Sequence, residues 1–249
     1  FKPVQVLNAS PLTSVKNLTL DIDQGSSSDN SQAWLDVGAG INLKKELKGD
    51  LYLVNSSSSA ATTFNGTITI VGGTVWLTDQ YLNASKGDGP SIVFNTQSGN
   101  YSPTLLVQGT NSISKLSDDS GVGTIIGHSD STTNPDIPKP AILVFEAGSN
   151  NLLGISTLIK NYSSTETLMV VKRGSGILEL TNPLNDFSGD ISGGGLGFLL
   201  EEGTLQISAS GSQDGQSITG PVGGGALVLN GGTTAVSYTH LTLPTILLV

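Results

Sequence analysis

The side chains able to do chemistry are few. Asp118 and Asp119 are adjacent carboxylates, with Gly127-His128 downstream of them. Two carboxylates flanking a glycosidic bond can protonate the leaving oxygen and activate water or attack directly. Asp118, Asp119 and His128 are therefore a candidate carbohydrate-cleaving set. The run Leu116-Ser117-Asp118-Asp119-Ser120-Gly121 reads equally as a solvated turn. Gly127-His128-Ser129-Asp130-Ser131 approaches the Gly-x-Ser-x-Gly turn that exposes a nucleophilic serine. It lacks the last glycine, and Asn134-Pro135-Asp136-Ile137-Pro138-Lys139-Pro140 after it cannot form the helix such a turn must enter. The glycines at 193–197 would cradle a phosphate only ahead of a helix, and Phe198-Leu199-Leu200-Glu201 reads as a strand. Asp21, Asp23 and Asp29 offer oxygen ligands for calcium, without EF-hand spacing. Trp76 and Tyr52 stand between apolar neighbours in alternating runs, hence outward. Exposed rings on a flat face can stack on sugars or on a partner protein, or pack beneath a long loop.

Composition limits what can position these groups. The chain has 249 residues with 32 Gly, 32 Ser, 25 Thr and 17 Asn, residues that favour turns and strands over helices. Zero Cys excludes disulfides, thiolate metal sites and a cysteine nucleophile. With 11 Lys plus Arg against 20 Asp plus Glu, the net charge of −9 argues against a nucleic-acid partner. No apolar run reaches the roughly 18 residues of a membrane helix, so no membrane insertion is expected of this segment. A hydrophobic content of 37% is too high for a disordered polar chain. Nothing in the residue types calls for a cofactor.

The elements expected are strands. Period-two alternation recurs in Asn17-Leu18-Thr19-Leu20-Asp21-Ile22, Asp50-Leu51-Tyr52-Leu53-Val54, Thr67-Ile68-Thr69-Ile70-Val71, Thr74-Val75-Trp76-Leu77-Thr78 and several later segments, each bounded by Gly, Asn, Ser or Asp. The one helical turn the sequence allows is Leu43-Lys44-Lys45-Glu46-Leu47-Lys48, stopped by Gly49.

Two stretches align. Gly49-Asp50-Leu51-Tyr52-Leu53, Phe64-Asn65-Gly66-Thr67-Ile68 and Gly73-Thr74-Val75-Trp76-Leu77-Thr78 match Gly176-Ile177-Leu178-Glu179-Leu180, Phe187-Ser188-Gly189-Asp190-Ile191 and Gly203-Thr204-Leu205-Gln206-Ile207-Ser208. A third copy begins at Gly225-Ala226-Leu227-Val228-Leu229. Repeated short strands cannot bury their faces singly but share one core when stacked, which predicts an all-β solenoid. The period predicts on the order of ten coils, a rod of roughly 50 Å. Its inward ladder is Leu51, Leu53, Ile68, Ile70, Val75, Leu77, Leu178, Leu180, Ile191, Leu205, Ile207, Leu227 and Leu229.

The residues from 174 to 209, and less closely those from 49 to 79, resemble the autotransporter-associated β-strand repeat. They depart from it at Pro183, Leu184 and the glycine insertion. The resemblance implies a right-handed parallel β-helix and a secreted or surface-displayed bacterial protein, exported across the periplasm. It also implies structural or adhesive work without catalysis, with host or matrix glycans or surface proteins as partners. The Cys-free composition suits such export. Loops at 55–63, 83–91 and 127–140 would then carry any binding. The alternative is a β-helical carbohydrate-active enzyme, a polysaccharide hydrolase or lyase. Asp118, Asp119 and His128 resemble part of the pectin-hydrolase pattern, but the Asn-Thr-Asp and Arg-Ile-Lys stretches of that family are replaced by Leu77-Thr78-Asp79 and Lys172-Arg173.

Val236-Ser237-Tyr238-Thr239-His240-Leu241-Thr242-Leu243-Pro244-Thr245 breaks the preceding composition and resembles a translated sequencing adapter. Residues 1–235 are therefore read as one solenoid segment of a longer secreted protein, and 236–249 as an adapter-derived tail. Without His240, His128 is the single histidine.

Overall fold

The computed structural model describes residues 4–6, 16–21, 32–37, 41–54, 64–78, 82, 90–95, 102–118, 121–128, 141–189, 195–214 and 217–237. Their alternating runs become short strands stacked in parallel, a β-solenoid of about six turns without a helix. Sheet A holds seven strands, from Val4–Val6 through Gln32–Val37, Asp50–Leu53, Thr74–Leu77, Thr104–Gln108 and Thr124–His128 to Leu158–Asn161. Sheet B holds Lys16–Asp21, Ile41–Glu46, Thr67–Ile70, Ser91–Phe94 and Lys115–Asp118. Sheet C holds Thr110–Ile113, Ala141–Glu146, Leu168–Arg173, Leu196–Leu200 and Ala226–Leu229. Sheet D holds Leu152–Ile155, Ile177–Leu180, Thr204–Ile207 and Thr234–Ser237. One antiparallel hairpin, Ser212–Asp214 with Ser217–Thr219, projects from this frame.

The cross-section changes along the axis. Up to Phe94 the chain alternates between sheets A and B. From Thr104 the chain visits A, then C, then B or D until sheet A ends at Leu158–Asn161, and from Leu196 the described stacked strands alternate between C and D. Single-residue corners make the first such coil: Gly109, at φ 66°, separates its first two strands, and Ser114 the next two. Sheet B ends at Lys115–Asp118 and sheet D starts at Leu152–Ile155, and no ladder joins these two strands.

The repeat in the sequence has a simple physical meaning. Its first and last strands are the same position one coil apart. Leu51 pairs with Val75 and Leu53 with Leu77 in sheet A, and Leu178 pairs with Leu205 and Leu180 with Ile207 in sheet D. The Phe-x-Gly between them turns the coil. Phe64 and Phe187 are buried in the core. Gly189 sits at φ 63°, and a Cβ there would collide with the Leu196 carbonyl. A Cβ on Gly66 would likewise collide with the Ile41 carbonyl.

Of the expected inward ladder, Leu51, Leu53, Ile68, Ile70, Val75, Leu77, Leu178, Leu180 and Leu205 are all 0% exposed. Each such side chain removed from water contributes about 1.5–3 kcal/mol before chain entropy is charged against it. Ile207 is partly buried against the core. Leu227 and Leu229 depart from expectation at 36% and 47% exposed, because no described strand pairs on the far side of Ala226–Leu229. Ile191 lies outside the described residues, as do 238–249; the sheet D pairing runs through Ser237.

Two expectations need correction. The stack has about six turns rather than ten, near 30 Å at the usual strand spacing. Coil lengths are uneven: Leu105 pairs with Ile125 twenty residues on, but Val75 with Leu105 and Ile125 with Ile159 thirty and thirty-four residues on. The run from Leu43 to Lys48 starts in strand Ile41–Glu46 rather than forming a helical turn, because Ile41, Leu43 and Lys45 all point inward.

Lys45 is fully buried, and so is Lys172 at the matching place in sheet C. The Lys45 ammonium donates to the carbonyls of Glu46 (3.0 Å), Leu47 (2.6 Å) and, one coil on, Gly72 (2.8 Å). The Lys172 ammonium donates to Arg173 (2.6 Å), Gly174 and, one coil on, Glu202 (3.1 Å). Each lysine thus ties its own corner to the corner of the next coil. Burial pulls both ammonium groups down to about 8.

Candidate functional site

Sheet A positions an outward row of rings. Tyr52 is in register with Trp76, Trp76 with Leu106, and Leu106 with Ile126. The rings of Tyr52 and Trp76 stack, 5.0 Å between centroids at 18°. Burial and the nearby Asp50 charge raise the Tyr52 hydroxyl above its usual value. His128 stands two residues past Ile126 and therefore on the same face. Its ring is tilted against Trp76 at 5.6 Å and against Tyr162 at 4.8 Å.

A tight turn after sheet A completes the row. The Tyr162 amide donates to Gly127 O and Glu166 O, both at 3.0 Å. The Ser163 amide also donates to Glu166 O, and the Glu166 amide to Ser163 Oγ at 3.1 Å. The turn swings the Glu166 carboxylate back to 3.2 Å from His128 Nε2. That approach lacks hydrogen-bond geometry, so Glu166 Oε2 is buried without accepting a hydrogen bond; Trp76 Nε1 is buried without donating one. Two buried polar atoms thus flank the one histidine of the row. Tyr162 is the most open of the rings at 53% exposed.

The geometry alters the role of the rings that sequence singled out. Tyr52 and Trp76 are outward as expected, but one face of each is consumed by the other. Such a pair contributes about 0.5–1.5 kcal/mol beyond its burial, and the open end of the row falls to His128 and Tyr162. Sequence gave no sign of Tyr162: Asn161-Tyr162-Ser163-Ser164 reads as a turn, and only the coil-to-coil register carries it to His128.

The Asp118 carboxylate stands elsewhere. Asp118 ends the last strand of sheet B, where its Oδ2 accepts from the Gly123 amide (3.1 Å) and from Thr157 Oγ1 (3.2 Å) of the next coil. It closes a corner and pins two coils together. His128 ends the following strand of sheet A, at the far end from that corner, so the two are not brought together. Asp119 and Ser129 lie outside the described residues, as do Asp23, Asp29 and most of the loops 55–63, 83–91 and 127–140. Among the described residues no three His, Cys, Asp or Glu side chains cluster to hold a metal.

A second concave feature lies on the opposite side of the solenoid. Thr67, Ser91 and Lys115 form one outward column of sheet B, and Val93 and Ser117 another. Asn151, Leu152 and Gly154 of the next coil form a wall beside them, enclosing an open groove of about 740 Å³.

No protein-family model, curated protein or solved structure matches this chain.

Proposed function

We propose that the chain is a non-enzymatic structural and adhesive segment of a secreted or surface-displayed bacterial repeat protein, similar to an autotransporter passenger. In this reading the solenoid is a stiff spacer whose outer faces, exported across the periplasm, meet host or matrix glycans or surface proteins. The observation that carries it is the row Tyr52–Trp76–His128–Tyr162, laid along the axis by strand register. Aromatic residues so placed are enriched where surfaces meet partners. The Gly, Ser, Thr and Asn surface is polar but weakly charged, which suits contact with neutral polymers.

The test is binding of the purified chain to arrayed glycans and matrix proteins, with Tyr162→Ala and Trp76→Ala alongside. Binding that falls at least tenfold in Tyr162→Ala, with unchanged β-sheet circular dichroism, supports the reading. Cleavage of a polysaccharide that disappears in Asp118→Asn would replace it with the enzyme alternative.

A further inference from the structure

The groove on sheet B arises from a break in the ladder. Strands Lys115–Asp118 and Leu152–Ile155 belong to consecutive coils, yet no ladder joins them: sheet B ends at the first and sheet D starts at the second. The chain path steps sideways, and the step leaves Leu152 standing 61% exposed as a wall above a floor that elsewhere continues coil to coil. Thr157 and Asp118 hold the two coils together at one end of the step.

The lining is chemically specific. The floor presents the hydroxyls of Thr67, Ser91 and Ser117 and the ammonium of Lys115 in columns one coil apart, with Val93 between. Asn151 adds an amide at the wall, and Leu152 an apolar surface. Hydroxyls and amides both donate and accept, so this lining matches a ligand that does the same along its length. An apolar wall beside them covers C–H surface. A peptide strand would have to enter between the edges of Lys115–Asp118 and Leu152–Ile155, whose Cα atoms already approach within 8 Å, less than the roughly 9.6 Å that a strand laddered on both sides needs. Among the described residues of the lining, Lys115 is the one cation a polyanion would meet, on a chain of net charge −9 and with Glu179 behind Gly154. The volume falls within the range of built ligand sites.

We infer that this groove binds a neutral oligosaccharide lying along the solenoid axis, its hydroxyls on Thr67, Ser91, Lys115 and Ser117 and its C–H face against Leu152. The site is separate from the aromatic row and deepens the adhesive reading by giving it a second, glycan-specific surface.

Gly154 supplies the decisive variant. A Cβ there meets only Glu179 Oε2 at 3.8 Å, so Gly154→Trp fills the groove from open space without a core clash. The probes are printed neutral oligosaccharides (gluco-, manno-, xylo- and chito-oligomers), followed by calorimetry with the best of them. The expected result is binding that weakens at least tenfold in Gly154→Trp and several-fold in Lys115→Ala and Ser91→Val, while Tyr162→Ala leaves it unchanged. The melting temperature of each variant must match the parent for its result to count, and the three substitutions back one another. Absence of binding to every neutral oligomer at millimolar concentration overturns the inference. So does binding indifferent to Gly154→Trp, or confined to uronate or sulfated chains and abolished by salt. Loss of binding in Tyr162→Ala but not Gly154→Trp would instead locate recognition on the aromatic row, leaving the proposed function standing and this inference refuted.

Discussion

Single residues here act across coils rather than along the chain. Lys45 and Lys172 each hold three carbonyls from two successive corners. Lys172→Met would leave those buried carbonyls without their donor and is expected to cost about 1–3 kcal/mol, read as a lower urea midpoint at pH 7.5. The same lysines set a pH dependence. Folded, they lose their protons near 8, whereas the unfolded chain keeps them to about 10.5. Between those values the unfolded state binds more protons, so stability rises as pH increases from 8 towards 10.5. Urea midpoints measured at pH 7.5 and 9.5 should show this rise, and Lys45→Met/Lys172→Met should flatten it. Gly189→Ala is expected to be more disruptive than an ordinary surface change. Its φ of 63° alone costs of order 1 kcal/mol for a residue with Cβ, and the Leu196 carbonyl occupies the added atom's place. A melting temperature unchanged from the parent would refute that account.

At the scale of elements, strand register decides which side chains meet. Tyr52 and Trp76 are distant in sequence but directly opposite in sheet A, which converts two isolated aromatic residues into a stack. A double-mutant cycle with Tyr52→Leu and Trp76→Leu should give a coupling of about 0.5–1.5 kcal/mol. Additive losses would show that the rings merely sit side by side. The alternation at 50–53, 67–70 and 74–77 made these strands and their inward residues legible from sequence. Lys45 and Lys172 were not, because a lysine at an inward position reads as a break in the pattern unless its three acceptors, two from its own corner and one a coil away, are known.

At the scale of the whole molecule, sheet C ends among the described residues on a strand, Ala226–Leu229, that no further described strand covers. In sheet C the inward column runs from Leu143 and Phe145 through Val170 and Lys172 to Phe198 and Leu200, all 0% exposed, and then to Leu227 and Leu229 at 36% and 47%. Val228 adds 41% on the outer side. An end coil that leaves apolar ladder residues and a strand edge uncovered promotes association. The purified chain is therefore expected to show a scattering mass that climbs with concentration, and Leu227→Lys/Leu229→Lys to suppress the climb. A concentration-independent monomer mass for the parent would contradict this.

The sequence by itself determined that the chain is β, that its strands repeat, and which apolar residues face inward. Those properties are local: alternation, turn residues and a Phe-x-Gly corner are each read within a few positions. The tertiary structure alone decided the number of turns, the change from two sheets per coil to three, and the burial of the two lysines. It also decided that Asp118 closes a corner away from His128, and that Tyr162 and Glu166 join Trp76 and His128. Each of these depends on loop lengths between coils, since loop length sets which residue stacks on which, and no local pattern encodes that register.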